Sequence, residues 1–315
     1  MRMLTRAEAA AFLKDQDRFA IVTHRRPDGD TLGSAALLCR GLRQLGKTAH
    51  IVQNPEITEK YVDLHQGLTK PAAQAGDTLV CVDVASDKML PDCFSQLSIT
   101  LRIDHHESAT GFTELALVDP KAAACGEIVY NVLEEMGAQL DVPMANALYT
   151  AVSTDTGCFR YANTTANSFR VAAQCAAAGA EVFAINQVMF ETNSLGRLRL
   201  QGWIVENALF FADNTMVIVP ISRKLVEELG LTEDDMENIS GYPRSIAGVK
   251  MAATLREESG CIKLSLRAVP GYDAAAVCAK LGGGGHKGAA GATLYCTMDE
   301  AVSLLKETML RASLV

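Results

Sequence analysis

Apolar residues gather in short unbroken stretches through the first third of the chain, and several of these end in a polar cluster. Arg18-Phe-Ala-Ile-Val-Thr23 runs into His24 and then a turn of Pro, Asp and Gly. Residues 78–84 and 99–104 follow the same design, and a further strand-like run covers residues 48–52. Strands that are apolar at nearly every position are buried on both faces, which predicts a parallel sheet rather than an alternating antiparallel one. Residues 31–45 carry apolar side chains at helical spacing and close on Gly46-Lys47. Ligands of open parallel sheets bind beyond the carboxyl ends of the strands. His24, Asp83 and Asp104-His105-His106 all fall at such ends.

Helical spacing dominates from residue 122 to about 207, with helices predicted over 125–136, 143–154, 165–178, 182–190 and 195–207. The texture then changes. Runs 209–212 and 215–220 read as a hairpin turning at Asp213-Asn214, and 246–257 with 261–268 as a second turning at Ser259-Gly260. A glycine-rich segment, an apolar strand over 289–294 and a closing helix over 298–312 follow. The fold class expected is α/β: a parallel-sheet domain over residues 1–193, a linker helix over 194–207 and a smaller α+β domain over 208–315. The active site is expected in the cleft between the domains.

Composition narrows the function. The chain has 315 residues, 49% hydrophobic and 21% charged, enough apolar material for two cores. A formal charge of -8 argues against a general basic field that coats long nucleic acid. Nine cysteines, an odd number without a CxxC pair, read as reduced thiols, with Cys39, Cys175 and Cys278 in helical stretches. No apolar run reaches the roughly 18 residues of a membrane span, and the start turns quickly to charged residues. No membrane is expected as a partner, and the expected location is the cytoplasm.

Carboxylates and imidazoles from several segments suit Mn²⁺ or Mg²⁺, and a shared carboxylate can bridge two such ions. His24, Asp28 and Asp30 share one loop, which also reads as a surface turn with Asp30 capping the next helix. Asp83 closes an apolar strand, where an unpaired carboxylate is costly, although a strand-end Asp also caps helices. In Asp104-His105-His106 one imidazole can ligate a metal while its neighbour faces substrate, and Asp104 can orient one of them. Three of the six histidines fall in these clusters. Asp155, after a helix of small and apolar residues, reads equally as a helix-end turn. Gly282 to Gly285, beside His286 and Lys287, leave backbone N–H groups open to an anion or form a flexible linker. Phe159-Arg160-Tyr161 offers an aromatic and a cation to a nucleotide, or a core Phe with a surface Arg.

The order of these motifs resembles the DHH phosphoesterase superfamily from end to end. The resemblance rests on His24-x3-Asp28-x-Asp30, Asp83, Asp104-His105-His106, Thr154-Asp155-Thr156-Gly157, and Gly282 to His286 followed by Ala289-Ala290-Gly291. It implies two Mn²⁺ ions, with Mg²⁺ or Co²⁺ as substitutes. His24, Asp28 and Asp83 would hold one, and Asp30, Asp83, His105 and Asp155 the other. Asp83 would bridge, and His106 would contact the phosphate or protonate the leaving oxygen. Gly283, Gly284, Gly285, His286 and Arg267, the last in the family's Ser-x-Arg pattern, would hold the substrate. Within the family, pyrophosphatases carry a different second domain, RecJ exonucleases an added nucleic-acid module, and membrane-bound cyclic-di-AMP phosphodiesterases transmembrane segments. The expected relatives are bacterial enzymes of short RNA oligonucleotides (nanoRNA) and 3′-phosphoadenosine 5′-phosphate, with a homodimer as one expected assembly. The alternatives are a cyclic-di-AMP or linear-dinucleotide phosphodiesterase and a nucleotide-binding regulator without catalysis.

Overall fold

The structure, a computed structural model, describes residues 1–106, 111–236 and 239–312. The chain divides into two compact units, Met1–Thr192 and Asn193–Val315.

The first unit opens with β1 (Arg2–Met3), α1 (Arg6–Asp15), β2 (Arg18–Val22), α2 (Gly29–Gln44) and β3 (Thr48–Val52). It continues through α3 (Val62–His65), β4 (Thr69–Lys70), β5 (Thr78–Val82), β6 (Leu101–Asp104) and β7 (Leu115–Val118). Four helices follow: α4 (Cys125–Met136), α5 (Val142–Asp155), α6 (Ala166–Ala177) and α7 (Val182–Asn186). The seven strands are all parallel, in the order β1-β7-β6-β5-β2-β3-β4. The expected doubly covered sheet is present. Phe19 and Ile21 face a core with α1, α2 and α4, while Ala20 and Val22 face a smaller one with Val84, Leu90, Phe94 and Ile99.

Strand order reverses between β2 and β5. The chain proceeds outward from β2 through β3 and β4 on one side, and from β5 through β6 and β7 on the other. Such a reversal opens a crevice at the carboxyl ends of the two central strands. Helix α2 begins there and is buried nearly all round, with small residues (Gly29, Gly33, Ser34, Ala35, Ala36) letting α4 and α5 approach.

The second unit holds α8 (Leu195–Asn207), β8 (Leu209–Phe211), β9 (Met216–Ile221), α9 (Arg223–Leu229) and α10 (Glu233–Met236). Then come β10 (Met251–Glu258), β11 (Cys261–Ala268), α11 (Ala274–Lys280), β12 (Gly284–His286), β13 (Ala289–Leu294) and α12 (Met298–Ala312). Its sheet runs β12-β13-β11-β10-β9-β8 and is antiparallel except for the β9–β10 pair. Alternation sets the two faces: Met216, Ile218, Met251 and Ala253 pack with α11 and α12, and Val217, Val219 and Ala252 with α8 and α9. Both expected hairpins form, the second from Met251 rather than residue 246.

One expectation fails here. The glycine run is not an open loop. Gly282 (φ +75°) and Gly283 turn off the end of α11, donating N–H to Ala279 O and Cys278 O, and Gly284 enters edge strand β12. The Gly283 N–H is therefore committed to Cys278 O at 2.8 Å and is not an anion donor. A Cβ at Gly283 would lie 2.1 Å from Gly291 O, so the close approach of β12 to β13 requires glycine there.

Candidate active site

The crevice gathers side chains from five segments of the first unit. His24 follows β2, and its Nδ1 lies 2.7 Å from Arg25 O. His105 follows β6, and its Nδ1 lies 3.2 Å from Ala122 O. A carbonyl only accepts, so each Nδ1 carries a proton and Nε2 is the nitrogen that can offer a lone pair to a cation. Both Nε2 atoms face carboxylates. His24 Nε2 is 3.7 Å from Asp28 Oδ1 and 3.6 Å from Asp83 Oδ2. His105 Nε2 is 3.4 Å from Asp83 Oδ1, 3.8 Å from Asp30 Oδ2 and 3.8 Å from Asp155 Oδ2.

Asp83 stands between the two imidazoles. It follows β5 in a left-handed conformation (φ +58°), a strain of about 1–3 kcal/mol that persists only where the surroundings impose it. Its N–H is held by Ile103 O at 2.9 Å. Its Oδ1 is buried with no hydrogen-bond partner among the described residues. A buried carboxylate oxygen left so costs a few kcal/mol unless a cation meets it.

Asp28 and Asp30 do different work from the expected helix cap. Helix α2 starts at Gly29, so Asp28 is the N-cap, accepting from the N–H of Asp30 and Thr31, and Asp30 lies inside the first turn. Asp30 caps a different helix: its carboxylate accepts from the N–H of Cys125 (2.7 Å) and Gly126 (3.0 Å) at the start of α4. Ser34 Oγ donates to it as well, at 3.0 Å. Asp155, the last residue of α5, accepts from Asn163 Nδ2 at 3.2 Å. Asp104 Oδ1 accepts from the N–H of both His105 and His106, and from His106 Nδ1 at 2.8 Å.

Crowded carboxylates perturb one another. Burial, then the charges of Asp83 and Asp155, push the Asp30 carboxyl well above its ordinary range. Burial raises Asp155 to about 7, helped by Asp83 and Asp28 against the opposing His105. Burial works against the charge of His105, but contact with Asp83 and the nearby Asp30 and Asp155 lift it to about 10. His24 is likewise raised, burial being outweighed by Asp28 and Asp83. The Asp104 contact raises His106 despite burial.

Three sets of donors have atoms within 4.8 Å of one another: His24, Asp28 and Asp83; Asp30, His105 and Asp155; and Asp83, His105 and His106. Hard oxygens with two Nε2 atoms that can give up a proton to a cation, each ring fixed through its other nitrogen, fit a divalent metal. Six of the expected ligands thus meet in one place, with His106 and Asp104 beside them. Arg267, Gly283, Gly284, Gly285 and His286 lie in the second unit. There Arg267 and His286 both register with Ala289, so a guanidinium and an imidazole flank one small residue on one face of the sheet.

Sequence reasoning missed four residues that hold the site. Ser34 is one helical turn from Asp30, a spacing that could have been read. Asn54, just past β3, donates to Thr23 Oγ1 (3.0 Å) and His24 O (2.9 Å) and fixes the His24 loop. Its place at a strand's carboxyl end was the available signal. Thr31 Oγ1 ties α2 to Val82 O at 3.0 Å. Asn163 carries no comparable signal.

Known proteins are similar to this chain in sequence and fold. The model of the DHH family, N-terminal domain, matches residues 18–152, and that of the DHHA1 domain matches residues 215–310. The chain is 32% identical to the "Bifunctional oligoribonuclease and PAP phosphatase NrnA" of Thermus thermophilus, over 92% of this chain and 88% of the relative. An exopolyphosphatase-related protein from Bacteroides fragilis has the same fold, with a TM-score of 0.89 at 24% identity, covering 98% of this chain and 96% of that one. RecJ from Thermus thermophilus, solved in complex with Mn²⁺, superposes with a TM-score of 0.58 at 15% identity, covering 98% of this chain and 55% of RecJ. Among the described residues no helix is long and apolar enough to cross a membrane. With both domains matched in order and a relative of this identity along nearly its whole length, the chain belongs to the DHH phosphoesterase superfamily and is a hydrolase of phosphoester bonds.

Proposed function

We propose that this enzyme uses two Mn²⁺ ions to hydrolyse short oligoribonucleotides and 3′-phosphoadenosine 5′-phosphate. The substrate classes are taken from the name of the Thermus thermophilus relative, and the metal from the Mn²⁺ complex of RecJ. His24, Asp28 and Asp83 would hold one ion, and Asp30, Asp83, His105 and Asp155 the other.

One observation carries the reading. Asp83 presents Oδ2 to His24 and its unpartnered Oδ1 to His105, so a single carboxylate faces both imidazoles. Two divalent ions held there would supply neutralisation of the phosphate's charge and a water acidic enough to attack phosphorus near neutral pH.

The rest falls to the chain's own side chains. Asn163 and Ser34 fix the Asp155 and Asp30 carboxylates before substrate arrives, which lowers the reorganisation needed. His106 has Nδ1 engaged by Asp104, so Nε2 is the nitrogen left for substrate. Raised by that contact, the imidazolium donates its Nε2 proton to the leaving oxygen. Arg267 and His286 would bind the remainder of the nucleotide, with the exposed backbone of Gly284 and Gly285 beside them. Gly283 would act as a spacer, its N–H being committed to helix α11.

Substrate length tests the proposal. With Mn²⁺ fixed, a 2-mer, a 5-mer and 3′-phosphoadenosine 5′-phosphate are expected to turn over much faster than a 24-mer, because a net charge of -8 repels each added phosphate. Digestion of the 24-mer at the dinucleotide rate overturns it.

A further inference from the structure

The segment after Asp155 folds in a way the metal cluster does not need. Gly157, Cys158 and Phe159 are three consecutive left-handed residues, with φ of +56°, +56° and +62°. Side chains avoid this region, so a run of it survives only where many contacts impose it. Here the Cys158 N–H bonds Ser153 O at 2.6 Å, and the N–H groups of Arg160 and Tyr161 converge on Thr156 O at 2.9 and 3.0 Å. Phe159 packs against the core beside Tyr149 and the exposed Phe169, with ring centroids at 6.1 and 5.3 Å.

The result is a tight reversal that lays the Tyr161 ring over Gly157. A Cβ at Gly157 would lie 2.3 Å from Tyr161 Cζ, so the ring rests flush against the backbone two residues from Asp155. Asn163, two residues beyond Tyr161, donates to the Asp155 carboxylate and to Asp155 O. Tyr161 thus rests on Gly157, in a turn whose next residues reach back to Asp155, and 51% of it is exposed. Arg160 fastens the turn with Nε on Gly157 O at 2.6 Å and is exposed. An aromatic face and a cation fixed beside a phosphoester site match a nucleoside with its phosphate.

We infer that Tyr161 is the platform on which the nucleobase next to the scissile phosphate stacks, and that Arg160 holds a neighbouring phosphate. The inference rests on the nucleotide-phosphoesterase reading above and deepens it. It makes the base itself a determinant of affinity: an ester lacking a base loses the platform, while one with a base and a second phosphate gains both contacts.

The test compares the 5′-phosphorylated dinucleotide pApA with an analogue of it whose corresponding base is removed, on the Mn²⁺-loaded full chain. Stacking is worth about tenfold to a hundredfold in affinity, so the wild type is expected to show that preference in KM. Tyr161→Ala and Tyr161→Leu should bring the ratio of the two KM values close to one, while Tyr161→Phe keeps it. Leu retains an apolar contact on Gly157 without a ring and so separates stacking from loss of fold. Arg160→Gln should raise KM for both substrates alike. Preserved base preference in Tyr161→Leu, or equal losses on both substrates in Tyr161→Ala, overturns the platform. A wild type that hydrolyses neither substrate overturns the platform together with the nucleotide reading, whereas hydrolysis of both without base preference overturns the platform alone.

Discussion

In the seven-stranded unit, the cluster of carboxylates and imidazoles gathers at the ends of buried elements. Asp83 and Asp30 are almost wholly buried beside Val82 and Leu32. In the six-stranded sheet, Arg267 and His286 stand in one row across Ala289 on a face that is partly open, and Gly283 and Gly285 beside them have packing duties of their own. The contrast is instructive. A carboxylate buried against apolar strands costs too much to be there without a cation, so its presence argues for chemistry. A glycine that lets two backbones meet costs little and argues first for structure.

Breaking the first side of the contrast should have the largest effect. Asp83→Ala is expected to lower turnover on every substrate by about a thousandfold or more, near 4 kcal/mol of transition-state stabilisation. Near-normal rates in a folded, Mn²⁺-saturated variant would remove the shared carboxylate from the account.

The second side is sharpened by two neighbouring glycines. Gly283→Ala places a Cβ against backbone of β13, with Gly291 O at 2.1 Å, and is expected to destabilise the protein by about 1–3 kcal/mol in denaturant unfolding. At Gly284 no atom lies within 4 Å of such a Cβ, so Gly284→Ala should stay within about 0.5 kcal/mol. If Gly284→Ala nonetheless slows nucleotide turnover, the strand has a substrate role beyond packing. Equal stability of the two variants would contradict the close approach.

Smaller effects should divide along the same line. Arg267→Ala and His286→Ala are expected to bind Mn²⁺ as the wild type does and to lose about tenfold on nucleotides, with a smaller loss on a compact activated phosphodiester. Equal losses on both substrates would assign the two residues to stability or to the chemical step. Hydrogen exchange separates the units more gently: Mn²⁺ should slow exchange around Asp83, His105 and the start of α2, and leave β11 and β13 unchanged. Protection gained equally in both would erase the distinction.

The sequence made the parallel sheet legible because strands buried on both faces have no polar positions to spare. The same fact exposed Asp83 and Asp104, since a charge ending such a run stands out. Short elements escaped, among them the two-residue β1 and the four-residue β7. Helix α1 escaped too, although Thr5 and Glu8 form a capping box that announces its start. The supports of the site were hidden for another reason. Asn54 and Asn163 reach residues on other segments, and only the packed fold brings those together. The left-handed Asp83 and the edge strand built from Gly284 and Gly285 follow from contacts across the sheet, which no local pattern encodes.

The central claim is that Asp83 is shared by two metal ions, and a Mn²⁺ titration followed by the signal of free Mn²⁺ tests it most directly. The wild type is expected to take up two ions per chain, and Asp83→Asn, which keeps the side chain's size and removes its charge, to lose tight binding of both. A wild type that binds one ion, or an Asp83→Asn variant that still binds two with unchanged affinity, would contradict the shared carboxylate.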